Sequence, residues 1–387
     1  MILSINRAIS CATYSRDLMN RTLKDLADEG VSVWLDDLSR HLLRSGELAR
    51  LVRSGTVVGL TTNPTIFHNA LGQDAEYEEE LQVLRGQGAS ALDAVRTLTT
   101  GDVRAACDVL MPVYKATGGR DGRVSIEVDP RWAHDTGRTI DEARQLWRLV
   151  DRPNAMIKIP ATVEGLPAIT TCLAEGISVN VTLIFSVRRY HQVIDAFLGG
   201  LEKAHAAGRS LSEIGAVASF FISRVDTEID RRLDAPATPT AAALRGRAAI
   251  ANARLAYLRY ENMLRDPRWL ELRAAGASPL RPLWASTGVK DPAYADTRYV
   301  TELVASGTVN TMPAATLEAV ISHGTVLGDR IRPNYDDAWE VFTQLGEAGV
   351  DFDDVLEQLE REGIAKFQTS WQAMIEDVDR LLSGVRL

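Results

Sequence analysis

The sequence predicts an α/β protein built as one closed barrel of eight parallel strands, the (β/α)8 or TIM barrel. Eight short runs rich in β-branched and apolar residues recur along the chain, and eight is the number of strands that closes such a barrel. Longer stretches with helical periodicity separate these runs. No hairpin turn joins consecutive runs, so each strand must return through a helix and pair in parallel with its neighbour.

The eight runs are the predicted strands in chain order. They are VSVWLD at 31–36, VVGLTTN at 57–63, VSIEVD at 124–129, AMIKIP at 155–160, SVNVTLIF at 178–185, AVASFFIS at 216–223, RPLWAST at 281–287 and TVNTMP at 308–313. Helical periodicity is clearest in TIDEARQLWRLV after the third run and in VRRYHQVIDAFLGGLEKAHAAG after the fifth, with Gly or Pro near the ends.

Two connections, 64–123 and 224–280, are long enough to hold several helices each as insertions within the barrel plan. After residue 322 the pattern is helical to the end, with a last helix near 366–383. We expect residues 19–387 to form a single domain that includes the C-terminal helices at about 325–387. Residues 1–18 are predicted to be either a disordered extension or a non-native addition ahead of the first helix.

Composition and charge exclude several classes of protein. The net charge is −9 and no run of Lys and Arg occurs, so we expect neither nucleic acid nor an anionic membrane surface as a partner. No apolar stretch approaches the roughly 18 to 20 residues of a membrane span, and Arg7 interrupts what would have to be a signal peptide. Three cysteines, Cys11, Cys107 and Cys172, lack any C-x-x-C spacing and indicate reduced thiols and a cytoplasmic location.

Polar side chains occupy one face of several predicted strands. Side chains alternate with period 2, and the opposite face of each strand is apolar. The face with the polar side chains carries Ser32, Trp34 and Asp36, then Ser125, Glu127 and Asp129, then Met156, Lys158 and Pro160, then Ser178, Asn180 and Thr182, then Ser219, Phe221 and Ser223. If the apolar set faces the helices, these residues line the barrel interior, where charges must neutralise one another. Asp36, Glu127 and Lys158 are therefore predicted to form one cluster.

Lys158 is the candidate nucleophile. Only six of the 43 basic residues are lysines, and Lys158 is the one that lies inside a predicted strand. Burial and positive neighbours can lower the pKa of an ammonium until the free amine attacks a carbonyl, which a guanidinium cannot do. The alternative is a lysine whose stem packs while its head reaches the barrel mouth or bridges two acids without reacting.

Other polar residues suit supporting tasks. Imine chemistry needs proton transfers through water, so Glu127 and Thr182 could hold that water while Asp36 moves a proton at a substrate hydroxyl; simple charge compensation for Lys158 is the alternative. Arg224 follows the sixth strand on the side where barrels keep their active sites, and suits a phosphate. The alternative is a helical ion pair with Asp226 or Asp230.

Signals for other chemistries are missing from the sequence. Motifs of dinucleotide-binding folds, P-loops, H-E-x-x-H metalloproteases and G-x-S-x-G hydrolases do not occur. The six histidines are scattered, without the spacing of metal ligands. We therefore expect no metal site and no cofactor.

The motifs of these strands resemble those of the transaldolase family, in its longer-chain bacterial branch. The matching stretches are VWLDDLSR at 33–40, GLTTNPTIF at 59–67, VSIEVDPR at 124–131, RPNAMIKIPATVEGLPAI at 152–169, GISVNVTLIFS at 176–186, VASFFISRVD at 217–226, RPLWASTGVKDPAYADTRYV at 281–300 and TVNTMPAATLEAV at 308–320. The resemblance implies a class I aldolase barrel that needs no metal, with helices after the barrel packed over it.

The resemblance assigns roles position by position. Lys158 matches the imine-forming lysine, Asp36 the acid of the first strand, and Glu127 with Thr182 the pair that binds the catalytic water. The predicted substrate-binding positions are Thr61, Asn63, Asn180, Ser219, Phe221 and Arg224, with Arg224 matching a phosphate-binding arginine. Shorter family members carry a second phosphate arginine after the seventh strand, for which Ser286 and Lys290 are the substitutes here. Turn chemistry at the Asn-Pro step would by itself also explain Asn63.

The resemblance implies a transaldolase reaction of the non-oxidative pentose phosphate pathway, catalysed by a monomer or homodimer. A dihydroxyacetone unit would pass from sedoheptulose 7-phosphate or fructose 6-phosphate, through an imine on Lys158, to glyceraldehyde 3-phosphate or erythrose 4-phosphate. One alternative is cleavage that releases free dihydroxyacetone, as in fructose 6-phosphate aldolase. Glu127 favours transfer, since the relatives specialised for cleavage carry a different polar residue there. The other alternative is a non-catalytic barrel that binds sugar phosphates.

Overall fold

A computed structural model describes residues 20–73, 75–235 and 238–384. Eight parallel strands form a closed barrel in which each strand pairs with the next and the eighth pairs with the first. The strands are β1 Ser32–Asp36, β2 Leu60–Thr61, β3 Val124–Glu127, β4 Ala155–Pro160, β5 Val179–Ile184, β6 Ala216–Phe221, β7 Arg281–Ala285 and β8 Val309–Met312. The predicted barrel is confirmed, and every strand lies within its predicted run.

The second strand is much shorter than the predicted 57–63. Only Leu60 and Thr61 pair regularly with both neighbouring strands. Gly59, just before them, lies against the indole of Trp34, where an added Cβ would sit 2.4 Å from the ring. A glycine at this point lets the backbone pass the large side chain on β1. The apolar run at 57–59 therefore serves packing at the base of the barrel.

Seventeen α-helices surround the barrel in the described residues. They are α1 Arg21–Asp28, α2 Arg40–Arg44, α3 Glu47–Arg53, α4 Pro64–Gln73, α5 Glu78–Gly86, α6 Ala91–Ala116, α7 Thr136–Val150, α8 Gly165–Ala174, α9 Val187–Ala206, α10 Ser223–Asp234, α11 Pro239–Leu244, α12 Ala248–Met263, α13 Pro267–Ala274, α14 Arg298–Thr301, α15 Ala314–His323, α16 Tyr335–Glu347 and α17 Phe352–Leu382. Both long connections hold several helices, as predicted: α4 to α6 and α10 to α13.

Hydrogen bonds across the barrel confirm that polar side chains fill its interior. Asn180 on β5 donates to Ser125 on β3 (3.0 Å), although β4 lies between these strands in the wall. Near the base, Arg281 on β7 likewise donates to Ser32 on β1 (2.5 Å), past β8. Both bonds must pass through the interior. The polar face of the strands is thus stabilised by mutual hydrogen bonding, as burial requires.

The C-terminal region differs from the prediction of a last helix near 366–383. A single helix, α17, runs for 31 residues from Phe352 to Leu382. Gly363 lies in its middle, where a Cβ would approach the Leu183 side chain to 3.0 Å. The glycine lets the helix pack closely on the barrel, which outweighs its helix propensity, about 1 kcal/mol poorer than that of alanine.

Helix α17 packs over the carboxyl ends of the strands, as the resemblance implied. Gln368 donates to the carbonyl of Pro130 after β3 (3.1 Å), and Ser370 bonds with Thr65 on α4 (2.8 Å). His68, also on α4, contacts Asp377 on α17 at 2.9 Å. These bonds attach α17 to the short turn after β3 and to helix α4.

Cys107 and Cys172 are buried free thiols, and burial raises the pKa of Cys172 to about 12. Among the described residues, every helix is too short or too polar to traverse a lipid bilayer. The predicted extension at residues 1–18, with Cys11, lies outside the described residues, and the single-domain assignment stays a prediction.

Candidate active site

A cavity of about 210 Å³ opens at the carboxyl ends of the strands. Most of the predicted site residues line it: Asp36, Thr61, Asn63, Lys158, Ser219, Phe221, Arg224, Ser286 and Lys290. Three predicted residues, Glu127, Asn180 and Thr182, do not line it; they are buried in the adjoining strands β3 and β5. This is the end of the barrel at which enzymes of this architecture assemble their active sites.

Lys158 is held inside the barrel, not at its outer surface. Its Nζ donates to the carbonyl of Thr62 (2.8 Å) and lies 3.4 Å from Oε2 of Glu127. Glu127, Lys158 and Asn180 are register partners on β3, β4 and β5, so the parallel pairing itself sets the carboxylate beside the amine. Only 6% of the Lys158 side chain is exposed, which rules out a head that has escaped to solvent.

Two carboxyl groups share this environment. Burial raises the pKa of Glu127, and the positive charge of Lys158 opposes that rise. Burial likewise raises the pKa of Asp36, against Lys158 and a 2.6 Å hydrogen bond from Thr61. Raised carboxyl pKa values bring both groups nearer to the range in which they can exchange protons at neutral pH.

Two buried oxygens have no hydrogen-bond partner among the described residues: Oε2 of Glu127, whose 3.4 Å contact with the Lys158 ammonium is an ion pair, and Oγ1 of Thr182. Buried polar atoms without partners are rare in native proteins. At Thr182 the pairing of β5 with β6 is irregular, and the next residue, Leu183, has a φ of 57°. A bulge of this kind changes the direction of a strand and is frequent beside active sites.

A second polar group positions the substrate-facing side chains. Asn180 donates to Ser125 and accepts from Ser219 (2.7 Å), which itself lines the cavity. At the mouth, Asn63 accepts from the backbone N–H of Ile66 (3.0 Å) and so caps α4 while also facing the cavity. The turn role proposed for Asn63 is therefore present together with its place in the site.

Arg224 faces the cavity without a carboxylate partner in the described part of the chain. Its guanidinium lies 5.3 Å from the ring centroid of Phe221 and 6.0 Å from that of Phe367, and burial lowers its pKa. The alternative pairing is wrong: Asp226 accepts from Ala249 and Tyr299, and Asp230 from Gly246 and Tyr294. An unpaired guanidinium held against aromatic rings is suited to an external anion.

Ser286 and Lys290 lie on the loop after β7, on the same cavity. Ser286 has a φ of 55°, and its hydroxyl bonds with that of Ser223 (2.9 Å) at the start of α10. The Ser286 carbonyl also accepts from the Ser223 backbone N–H (3.0 Å). These contacts hold the strained residue next to the segment that carries Arg224.

Several lining residues were not predicted. Thr311 on β8 bonds with Thr61 (2.7 Å), but threonine is common in strands and its position gave no signal. Lys366 and Phe367 reach the cavity from α17, far away in sequence. The rarity of lysine in this chain could have singled out Lys366, as it did Lys158. In the described residues, no group of three or more His, Cys, Asp and Glu side chains could hold a metal ion.

Comparison with known proteins gives a family for this arrangement. The model of the transaldolase/fructose-6-phosphate aldolase family matches residues 33–378. The chain belongs to this family. The transaldolase of Thermobifida fusca is 60% identical over 95% of this chain and 100% of its own length. The transaldolase of Parafrankia sp. is 59% identical over 95% of this chain and 99% of its own. Transaldolase 1 of Streptomyces coelicolor is 60% identical, covering 94% and 95% respectively.

Every strand of the barrel except the first residue of β1 lies inside the matched range, and so does the stretch of α17 that borders the cavity. The matched range therefore includes the barrel, the residues that line the cavity and the part of α17 above it.

Proposed function

We propose that this protein is a transaldolase, which transfers a dihydroxyacetone unit between phosphorylated sugars through an imine on Lys158. The observation that carries the proposal is the buried Lys158 amine, 3.4 Å from Glu127, at a cavity on the carboxyl end of the barrel. Relatives about 60% identical over nearly the whole chain bear the name transaldolase. The proposed pathway is the non-oxidative branch of the pentose phosphate pathway.

The first half of the reaction forms the imine. Glu127 takes a proton from the Lys158 ammonium, and the free amine attacks the ketone carbon of the donor. The carbinolamine then loses its hydroxyl as water, for which Glu127 and Thr182 provide two buried oxygens without other partners. The raised pKa of the Glu127 carboxyl and the neutral hydroxyl of Thr182 suit a water that carries protons to and from the nitrogen.

The second half breaks and remakes a carbon–carbon bond. Asp36 removes the proton of the C4 hydroxyl, the C3–C4 electron pair moves into the iminium, and the aldose leaves while the three-carbon enamine stays on Lys158. The enamine carbon then adds to the aldehyde of the acceptor, and Asp36 returns the proton to the new hydroxyl. The raised pKa of Asp36 and its hydrogen bond from Thr61 support this role.

The substrate phosphate is assigned to the cationic side of the cavity. Arg224 provides a guanidinium without an ion pair in the described residues, and Ser286 and Lys290 provide a hydroxyl and an ammonium from the next loop. Asn63, Asn180, Ser219 and Phe221 are assigned to the sugar chain between phosphate and imine. The assignment to a monomer or homodimer in the cytoplasm stays a prediction from the sequence.

Cleavage with release of free dihydroxyacetone is the second candidate function, because the matching family also contains fructose 6-phosphate aldolases. The two activities differ in whether water or an aldehyde captures the enamine. Measuring consumption of fructose 6-phosphate with and without erythrose 4-phosphate separates them, and we expect turnover only with the acceptor.

Trapping with borohydride tests the imine directly. Incubation with fructose 6-phosphate and borohydride should add one reduced three-carbon or sugar adduct to the intact mass, and peptide mapping should place it at Lys158. Lys158→Arg should give no adduct and no transfer, whereas Lys203→Arg, at an exposed lysine on α9, should behave as the wild type. Labelling at another lysine would overturn the role of Lys158, and no labelling in the wild type would reject the proposal in favour of a non-catalytic binding barrel.

A further inference from the structure

The helix above the barrel brings one more positive charge to the cavity. Lys366 on α17 lines the same cavity as Arg224 and Lys290. No carboxylate lies within ion-pair distance of any of these three cations in the residues that the structure describes. Most arginines on the outside of the barrel are, by contrast, paired with acids, as Arg144 is with Glu175 and Arg268 with Glu202.

Three cations that face one space repel one another. The pKa of Lys366 is lowered by partial burial and by the charges of Arg224 and Lys290, so the ammonium feels both of the other groups. An arrangement of this kind costs energy while the cavity holds no anion and is relieved when one enters. A doubly charged phosphate is the anion that this cavity is proposed to receive.

The position of Lys366 is fixed by the packing of its helix. Gly363, one turn earlier, lies against Arg224, where an added Cβ would be 3.3 Å from Nη1. The ring centroid of Phe367, the next residue, lies 6.0 Å from the same guanidinium. Gln368 and Ser370 are bonded to Pro130 after β3 and to Thr65 on α4. Consequently the backbone at Lys366 is held against the phosphate side of the cavity, and only the flexible side chain needs to be ordered.

We propose that Lys366 is a third phosphate-binding cation, which makes α17 a determinant of specificity for phosphorylated over unphosphorylated substrates. The inference rests on the proposed function and deepens it. Phosphate entry would draw the Lys366 ammonium towards Arg224 and close the space between helix and barrel above the sugar. An unphosphorylated aldehyde would gain nothing from the lysine.

The test compares two acceptors that differ only in the phosphate. For the wild type and Lys366→Gln, kcat/KM is measured with erythrose 4-phosphate and with erythrose, at saturating fructose 6-phosphate, from the release of glyceraldehyde 3-phosphate. We expect the ratio of the two values to fall about tenfold in the variant, as for one charge-assisted hydrogen bond at a partly exposed site. The kcat should stay within about twofold of the wild type, since the lysine binds the phosphate before and after the chemical step alike.

Further measurements exclude a structural effect. The inhibition constant of inorganic phosphate should rise in parallel with the change of the ratio, Lys366→Arg should restore both values, and the melting temperature should not move. Lys203→Gln removes an exposed lysine far from the cavity and should change none of them. An unchanged ratio in Lys366→Gln, or an equal loss with both acceptors, would overturn the inference.

Failure of the inference can be distinguished from failure of the proposed function. If Lys366→Gln behaves as the wild type while borohydride still labels Lys158, only the role of Lys366 is wrong. If the wild type forms no imine but binds inorganic phosphate more tightly than Lys366→Gln, the transaldolase activity is wrong and the phosphate site stands.

Discussion

The ammonium of Lys158 lies 3.4 Å from the carboxylate of Glu127, and both side chains are almost completely buried. Adjacent parallel strands place them in register, so this pair is fixed by the wall of the barrel and not by a mobile loop. Glu127 keeps one oxygen without a hydrogen-bond partner in the described structure. The carboxylate is therefore both a counter-charge and an available proton acceptor.

Glu127→Gln should separate these two roles. The amide keeps the shape of the side chain but cannot accept the proton, so kcat should fall by about 10² to 10⁴, the usual contribution of a general acid–base group. Steady-state kinetics and the rate of borohydride labelling at Lys158 measure the effect. The exposed Glu213 provides a matched control, Glu213→Gln. A kcat within about twofold of the wild type would mean that Glu127 only balances the charge of Lys158.

Arg224 should determine affinity for the phosphate. Arg224→Lys keeps the charge but loses the planar fork and the stacking on Phe221 and Phe367, whereas Arg224→Met loses the charge as well. We expect KM for phosphorylated substrates to rise about tenfold in the first variant and about a hundredfold in the second. Arg188→Met, at an exposed arginine on α9, should leave KM unchanged. Equal KM values in both Arg224 variants and the wild type would place the phosphate elsewhere.

Asp36→Asn should abolish transfer activity and stabilise the folded protein by an amount that depends on pH. The pKa of Asp36 in the folded protein is raised by burial above its ordinary value of 3.8, so the folded state binds this proton more tightly than the unfolded chain. Ionised Asp36 therefore opposes folding above its folded-state pKa, and this cost disappears as the pH falls through that pKa towards 3.8. Asparagine can still accept the hydrogen bond from Thr61.

Calorimetric melting of the wild type and Asp36→Asn across this pH range measures the effect. The variant should melt higher at about pH 8 and lose its advantage as the pH approaches about 4, while transfer activity is lost at every pH. Glu213→Gln controls for the loss of one negative charge. A lower melting temperature for Asp36→Asn at about pH 8 would show that attraction to Lys158 outweighs burial.

Gly363→Ala should alter the phosphate side of the cavity. The new Cβ would lie 3.0 Å from the Leu183 side chain and 3.3 Å from Arg224, so α17 or the guanidinium must shift. We expect KM for phosphorylated substrates to rise severalfold, with no gain of stability from the better helix former. Gly346→Ala on α16, where the Cβ would meet nothing within 4 Å, should raise the melting temperature and leave KM unchanged. A Gly363→Ala protein that is both more stable and fully active would contradict the close packing described here.

The strands and the central lysine could be predicted because local patterns encode them. Runs of β-branched residues marked all eight strands, and the period of two identified Lys158 and Glu127 as inward neighbours. The positive φ values at Leu183 and Ser286 could not be predicted, since neither residue type favours that conformation. Tertiary packing enforces them.

The contribution of α17 to the cavity also could not be predicted from the sequence. Its periodicity predicts a helix, but not the angle at which the helix crosses the barrel. The last helix was predicted only near 366–383, whereas α17 continues through Gly363. The function of Gly363, close approach to Leu183 and Arg224, is evident only when the distant strand and helix are seen together.

Helix α17 is also the last helix to leave the ribosome in the described chain, long after the strands that carry Lys158 and its acids. In a nascent barrel, the Lys158 amine would thus lie in a cavity that α17 does not yet cover, accessible to any small aldehyde in the surrounding solution. Docking of α17 would complete the mouth of the barrel only after the strands beneath it have been made.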